Sequence, residues 1–158
     1  MTVPLIYDIG ANNGDDSAFY LAKGFRVVAI EADPALCASL RERFVSEIAA
    51  DRFVVENVGV SDKEEILDFY VSDFSEWSSF VKQGKATGAV GHSLIQVQTA
   101  SLSRLVAQYG AARYLKIDIE GFERAALSTL SRDLPLPDFL SFEINADWRQ
   151  ILDLLGGL

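Results

Sequence analysis

An open, mostly parallel α/β sheet with helices on both faces is the fold this sequence predicts, and three observations predict it. Short apolar runs alternate with helix-spaced segments along the whole chain. Several of those runs stop at a carboxylate or a glycine, as buried strands do on entering a turn. No internal repeat or linker interrupts the alternation in 158 residues, a length suited to a single domain with one continuous core.

The first run, Pro4 to Ile9, reads as a buried strand entering a turn. Asp15 to Lys23 follows as a helix, with Ala18, Phe19, Leu21 and Ala22 at helical spacing, two carboxylates in its first turn and Gly24 as its stop. Arg26 to Ile30 is a second buried strand closed by Glu31, and Pro34 suits the first turn of the next helix. Strand, helix and strand in this order imply a right-handed parallel crossover.

That next helix is expected from Pro34 to about Glu47, with Leu36, Leu40 and Phe44 inward and Ile48 just beyond, leading to a strand over Arg52 to Glu56. Asn57 to Lys63 is a polar turn. Ile66 to Val71 alternates imperfectly and suits an antiparallel strand on a sheet edge. From Ser72 to Ser93 the pattern dissolves, and long loops of this kind are functional or mobile. Beyond it the reading is a strand over Leu94 to Gln98, a helix over Ser101 to Tyr109, a strand over Tyr114 to Ile119 and a helix over Phe122 to Leu130. A strand over Phe139 to Ile144 and a helix over Trp148 to Leu155, capped by Asp147 and ended by Gly156 and Gly157, complete the chain.

Composition narrows the function. Hydrophobic residues make up 49% and charged residues 23%, ordinary for a chain that folds alone. The formal net charge of -9, with an isoelectric point near 4.5, opposes binding to a phosphate backbone, so nucleic acid is not an expected substrate. Cys37 is the only cysteine, which rules out an intramolecular disulfide or a cysteine zinc cluster and suits a reducing cytoplasm. No apolar stretch approaches a membrane span, and no leader pattern opens the chain, so a soluble cytoplasmic protein is expected.

In such sheets ligands bind at the carboxyl ends of the strands, where strand order reverses. Three strand ends carry chemistry. At the first, Asp8-Ile9-Gly10-Ala11-Asn12-Asn13-Gly14 has two glycines that let backbone approach a ligand closely. A dinucleotide fingerprint would place a glycine where Asn12 stands. With Asp8, Asp15 and Asp16 around it, the loop suits an amino group and a sulfonium better than a diphosphate. That favours S-adenosylmethionine over NAD, although a glycine pair alone can also be a simple tight turn.

At the second end, Glu31 lies 17 residues beyond Gly14, where a carboxylate can accept both ribose hydroxyls of a nucleoside. The alternative is a solvated acid closing a strand. At the third, Lys116-Ile117-Asp118-Ile119-Glu120-Gly121-Phe122-Glu123 sends Lys116, Asp118 and Glu120 toward one side of an apolar strand. Burying such charges without purpose is costly. The alternative is a structural cluster in which Lys116 pairs with Asp118 or Glu143.

These segments, with Ala29-Ile30-Glu31-Ala32-Asp33-Pro34 and Asn57-Val58-Gly59-Val60-Ser61-Asp62, together resemble the FkbM family of S-adenosylmethionine-dependent methyltransferases. The resemblance covers nearly the whole chain, with the motifs in order. It implies the Rossmann-like class I methyltransferase fold of seven strands and methyl transfer to a hydroxyl oxygen of a sugar, polyketide or similar metabolite. It also implies that Asp8, Gly10, Ala11, Asn12 and Gly14 hold the methionine end of the cofactor, Glu31 and Ala32 the ribose, and Asn57 with Val58 the adenine edge. Asp118 and Glu120 would face the reaction centre, Asp118 also touching the cofactor. Two departures stand out. Ser103 occupies a position where the family commonly has an Asp. The chain stops at Leu158, where relatives continue through a glycine-aromatic turn into the last two strands, so a shortened form or a fragment lacking one or two strands is expected.

An alcohol nucleophile needs a proton acceptor, for which Asp118, Glu120, Glu143 and His92 are available and Asp118 and Glu120 are preferred by position. His92, the only histidine, could approach substrate from the irregular segment or simply be exposed. Phe74, Trp77 and Phe80 either line the acceptor pocket or pack on the core. Clustered carboxylates could instead hold a divalent cation, but no metal ligand is assigned. The competing functions are a domain that binds S-adenosylmethionine or a nucleoside without transfer and an NAD-binding oxidoreductase. The expected partner is a small-molecule or glycan acceptor, with neither nucleic acid nor membrane. A homo-oligomer is expected if missing strands leave a sheet edge exposed.

Overall fold

The computed structural model describes residues 3–72, 78–80, 92–119, 121–144 and 148–158. Five parallel strands make the main sheet: β1 (Leu5–Ile9), β2 (Arg26–Glu31), β3 (Phe53–Asn57), β7 (Tyr114–Ile117) and β8 (Phe139–Phe142), in the order β3-β2-β1-β7-β8. Order reverses between β1 and β7, which puts a ligand crevice beside β1.

Period-two alternation distributes the core over both faces. Leu5, Tyr7 and Ile9 of β1 and Val28 and Ile30 of β2 pack with α4 (Leu102–Tyr109), α5 (Glu123–Leu127) and α6 (Trp148–Gly156). Ile6, Val27 and Ala29 point the other way, against α1 (Asp15–Ala22) and α2 (Pro34–Arg43). Every residue of β1 is buried, as expected of a central parallel strand. Tyr7 closes one face, its hydroxyl donating to the carbonyls of Leu105 and Gly110 at 3.1 and 2.8 Å.

The helix expected from Pro34 to Glu47 is two helices. Asp33 caps α2 by accepting the Ala35 N–H at 2.7 Å, with Pro34 at the first position. The helix ends at Phe44, whose backbone (φ -114°, ψ 31°) is not helical, and α3 (Val45–Ala49) follows. The Phe44 ring is buried against Phe53, 4.4 Å between centroids.

Ile66 to Val71 is an antiparallel strand on a sheet edge, as expected, but the sheet is not the main one. As β5 (Ile66–Ser72) it forms an antiparallel hairpin with β6 (His92–Ala100), and β4 (Gly59–Val60) adds in parallel to give a separate sheet of order β4-β6-β5. Thr99 ties its base together, donating to the Lys63 and Glu65 carbonyls and accepting from the Glu65 N–H. The strand predicted over Leu94 to Gln98 therefore begins at His92, inside the stretch read as irregular. The predicted N-cap Asp147 lies outside the described residues.

Candidate functional site

Strand register builds the site. Ile9 pairs with Ile30 on one side and Ile117 on the other, Glu31 pairs with Asn57, and Ile117 pairs with Phe142. The residues at the carboxyl edge are therefore, across the sheet, Asn57, Glu31, Gly10, Asp118 and Glu143. Above this edge lies a cleft of about 470 Å3, within the range of small-molecule sites. Its wall contains Gly10, Ala11, Asn12, Glu31, Ala32, Val58 and Asp118 of the expected residues.

Gly10 is at φ +77°, and a Cβ there would fall on the carbonyl oxygen of Asp118. The loop turns its donors inward. Gly10 and Ala11 donate their N–H groups to the Ile30 carbonyl at 2.9 and 3.2 Å, and Asn12 donates to Glu31 Oε2 at 2.9 Å. Asp33 donates to Glu31 Oε1 at 2.9 Å. Burial pushes the Glu31 carboxyl above the usual carboxylate range, although both N–H bonds oppose the shift.

Three expected cofactor residues are not on the cleft wall. Asp8 is fully buried, accepting from Ser17 Oγ at 2.6 Å and Lys116 Nζ at 3.3 Å. Burial raises its pKa despite both partners. A Cβ at Gly14 would meet Leu40 and Phe44, so that glycine serves the packing of α1 on α2. Asn57 donates its side-chain amide to the carbonyls of Glu31 and Ala32 at 3.1 and 3.0 Å, bracing the end of β2. All three shape the site from behind.

Lys116 is the hub that spacing alone did not resolve. It is the register partner of Asp8, and its Nζ lies 3.3 Å from Asp8, 2.9 Å from Asp16 and 3.6 Å from Asp118. Burial alone would lower its pKa, but these three carboxylates outweigh burial and hold it above the ordinary lysine value. Asp118 is fixed by its backbone, which donates to the Ile9 carbonyl at 3.0 Å. Beyond it, both carboxylate oxygens of the fully buried Glu123 accept the Gly121 N–H at 3.1 Å, setting the turn into α5.

Glu120 lies outside the described residues, as do Phe74 and Trp77. His92 is placed on the backbone of β6 opposite Ser72. Phe80 does line the cleft, its ring 4.9 Å from Phe69 and 5.1 Å from Phe122. Phe69, Ile119 and Glu143 also line it. Glu143 was among the proton acceptors the sequence offered; Phe69 was not singled out, because its strand belongs to the second sheet. Ser103 bonds the capping Ser101 hydroxyl at 2.9 Å in the first turn of α4. Among the described residues no group of three or more His, Cys, Asp or Glu side chains is arranged to hold a metal, and no helix is long and apolar enough to cross a membrane.

The strand order, the glycine turn after β1 and the acid closing β2 define a methyltransferase-like α/β fold. Residues 8–156 match the model of the methyltransferase FkbM domain, and the chain belongs to that family. A crystal structure of methyltransferase FkbM from Methylobacillus flagellatus KT is similar in fold, with a TM-score of 0.53 and 21% identity over 79% of this chain. A 50-residue stretch is 44% identical to the probable ribosomal RNA small subunit methyltransferase A of Haloarcula marismortui, covering 32% of this chain. The matches span 28% of the solved chain and 18% of the Haloarcula protein.

Proposed function

We propose that this chain acts as one catalytic domain that binds S-adenosylmethionine and transfers its methyl group to a hydroxyl oxygen of a small metabolite such as a sugar or polyketide. The observation that carries the reading is Glu31, a buried carboxylate that closes β2, faces the cleft and braces the Gly10 loop. The residues present fit this cofactor. The inward-turned N–H groups of Gly10, Ala11 and Asn12 leave no cradle for a diphosphate, which argues against NAD. The carboxylates on the wall suit a ligand bearing an ammonium and a sulfonium.

Gly10, Ala11 and Asn12 would flank the methionine end, Glu31 and Ala32 the ribose, and Val58 with Val60 the base. When bound, S-adenosylmethionine supplies an electrophilic methyl on its sulfonium. The protein then orients the nucleophile, with Asp118 as proton acceptor. Titration calorimetry tests the first step. S-adenosylmethionine and its demethylated product should bind in the micromolar range typical of metabolite sites. Binding of NAD with neither of these would reverse the assignment, and cofactor binding without labelled methyl transfer to any hydroxyl acceptor would favour a non-catalytic domain.

A further inference from the structure

We propose, on the strength of the methyltransferase reading above, that Phe80 is a specificity-determining residue: its ring, seated on Gly59, gives the cleft an aromatic face for the purine of the cofactor.

The chain reaches the cleft at Phe80 by folding back on β5. The Tyr70 N–H donates to the Ser79 carbonyl at 2.9 Å, and the Ser79 N–H donates to the Tyr70 carbonyl at 3.1 Å. The Ser72 N–H donates to Ser78 Oγ at 3.0 Å. These bonds deliver the Phe80 ring to the cleft wall from outside the main sheet.

Gly59 is shaped to that ring. Its φ is not in the left-handed region, so its backbone conformation does not call for glycine. A Cβ there would lie 2.1 Å from the tip of the Phe80 ring, so the seat excludes any side chain at 59 while the ring is in place. Phe69 flanks the ring at 4.9 Å between centroids, and Phe122, at the start of α5, flanks it at 5.1 Å. The ring thus bridges the separate sheet to the segment that follows β7, and it is only partly buried.

Its place relative to Glu31 names the occupant. Ala32 directly follows Glu31 and shares one apolar cluster with Phe69 and Phe80. Where Glu31 takes the ribose, the base joined to that ribose falls on the side of Ala32, Val60 and Phe80. A base and an aromatic side chain attract through their π faces whatever the hydrogen-bonding edge of the base. An open-chain ligand gains no such contact.

The test is calorimetry with S-adenosylhomocysteine on the full chain, beside thermal melts and NMR. Phe80→Ala should weaken binding about tenfold or more, as truncating a ring stacked on a base does, and Phe80→Tyr should keep most of the affinity. Gly59→Ala should mimic Phe80→Ala by displacing the ring, yet cost no further affinity when added to it, because the space is then free. In the parent chain, nuclear Overhauser contacts should join the purine H2 or H8 to a phenylalanine ring assigned to Phe80 by its change in Phe80→Tyr, a readout that stands even if the alanine variants melt. Full affinity in Phe80→Ala, or no such contact to Phe80, overturns the inference and leaves the methyltransferase reading intact. Additive losses from Gly59→Ala and Phe80→Ala overturn the seat at Gly59. Failure of S-adenosylhomocysteine to bind the parent chain overturns both readings.

Discussion

Glu31 accepts the backbone N–H of Asn12 at 2.9 Å, so the acid that closes β2 also fixes the loop that follows β1. Its other oxygen holds the Asp33 N–H at the entry to α2. One side chain thus joins three elements and still faces the cleft. On the proposed reading, binding and folding are coupled at this residue.

Replacing Glu31 should therefore affect both, to different degrees. Glu31→Ala leaves two backbone donors without their acceptor, and such losses cost about 1–3 kcal/mol each when buried. In a domain of this size each kcal/mol lowers the melting temperature by roughly 2–4 °C. Glu31→Gln keeps one acceptor oxygen and should melt closer to the parent, yet lose tenfold or more in S-adenosylhomocysteine affinity. Calorimetry beside thermal melts separates the two effects, and full affinity in the Gln variant would remove Glu31 from ligand binding.

Lys116→Met tests the carboxylate hub. The change strips the cation from the fully buried Asp8, and leaving one member of a buried pair costs about 3–5 kcal/mol. Without Lys116 the folded-state pKa of Asp8, already raised by burial, rises further. The folded state then holds a proton that the unfolded chain has released. Stability of the variant should accordingly increase as pH falls from the folded value toward the ordinary Asp value. Urea unfolding of parent and variant at about pH 8 and pH 5 should show a smaller deficit at the lower pH. Adding Asp8→Asn, which keeps an acceptor for Ser17, should restore much of the loss at neutral pH; a deficit unmoved by either change would mean lost packing alone.

Two glycines with similar φ angles should respond differently to alanine. Gly10 (φ +77°) and Gly24 (φ +87°) both sit in the left-handed region, which costs a side chain about 1–2 kcal/mol. At Gly24 nothing lies within 4 Å of the added Cβ, so that cost is the whole effect. At Gly10 the Cβ would fall on the Asp118 carbonyl, forcing the β1 and β7 loops apart. Gly24→Ala should keep cofactor affinity. Gly10→Ala should abolish it and melt lower, and equal behaviour of the two variants would refute close approach at Gly10.

How far these relationships could be read from the sequence depends on their range. Parallel strands announce themselves as apolar runs, so β1, β2 and β8 were legible, as was the placement of Gly10, Glu31 and Asp118 at strand ends. The separate sheet was not, because β4 has only two residues and the β5 and β6 pairing joins residues 20 to 32 positions apart. The break at Phe44 was hidden because its apolar side chain continues the helical spacing. Motif spacing located the turn after β1 but not which of its members face inward. That is why Asp8, Gly14 and Asn57, read as ligand contacts, turn out to support the wall. The Lys116 contact with Asp8 required the β1 and β7 register, which a single sequence does not carry.

Asp118 is where binding and chemistry should separate. Its backbone is held by the Ile9 carbonyl, and its side chain is about half exposed, 3.6 Å from Lys116. Asp118→Asn preserves size and leaves Lys116 with Asp8 and Asp16, so the fold should lose under about 1 kcal/mol, as for exposed pairs generally. Cofactor affinity should change little for the same reason. Removing a proton acceptor, by contrast, costs about 10²–10⁴-fold in rate. Single-turnover methyl transfer with saturating labelled S-adenosylmethionine, read against calorimetric affinity, measures both quantities in one variant. A large fall in rate at constant affinity assigns the proton to Asp118. Parallel losses would make it a binding residue and shift the acceptor role to another carboxylate on the wall, with Glu143, one strand away, the first to test.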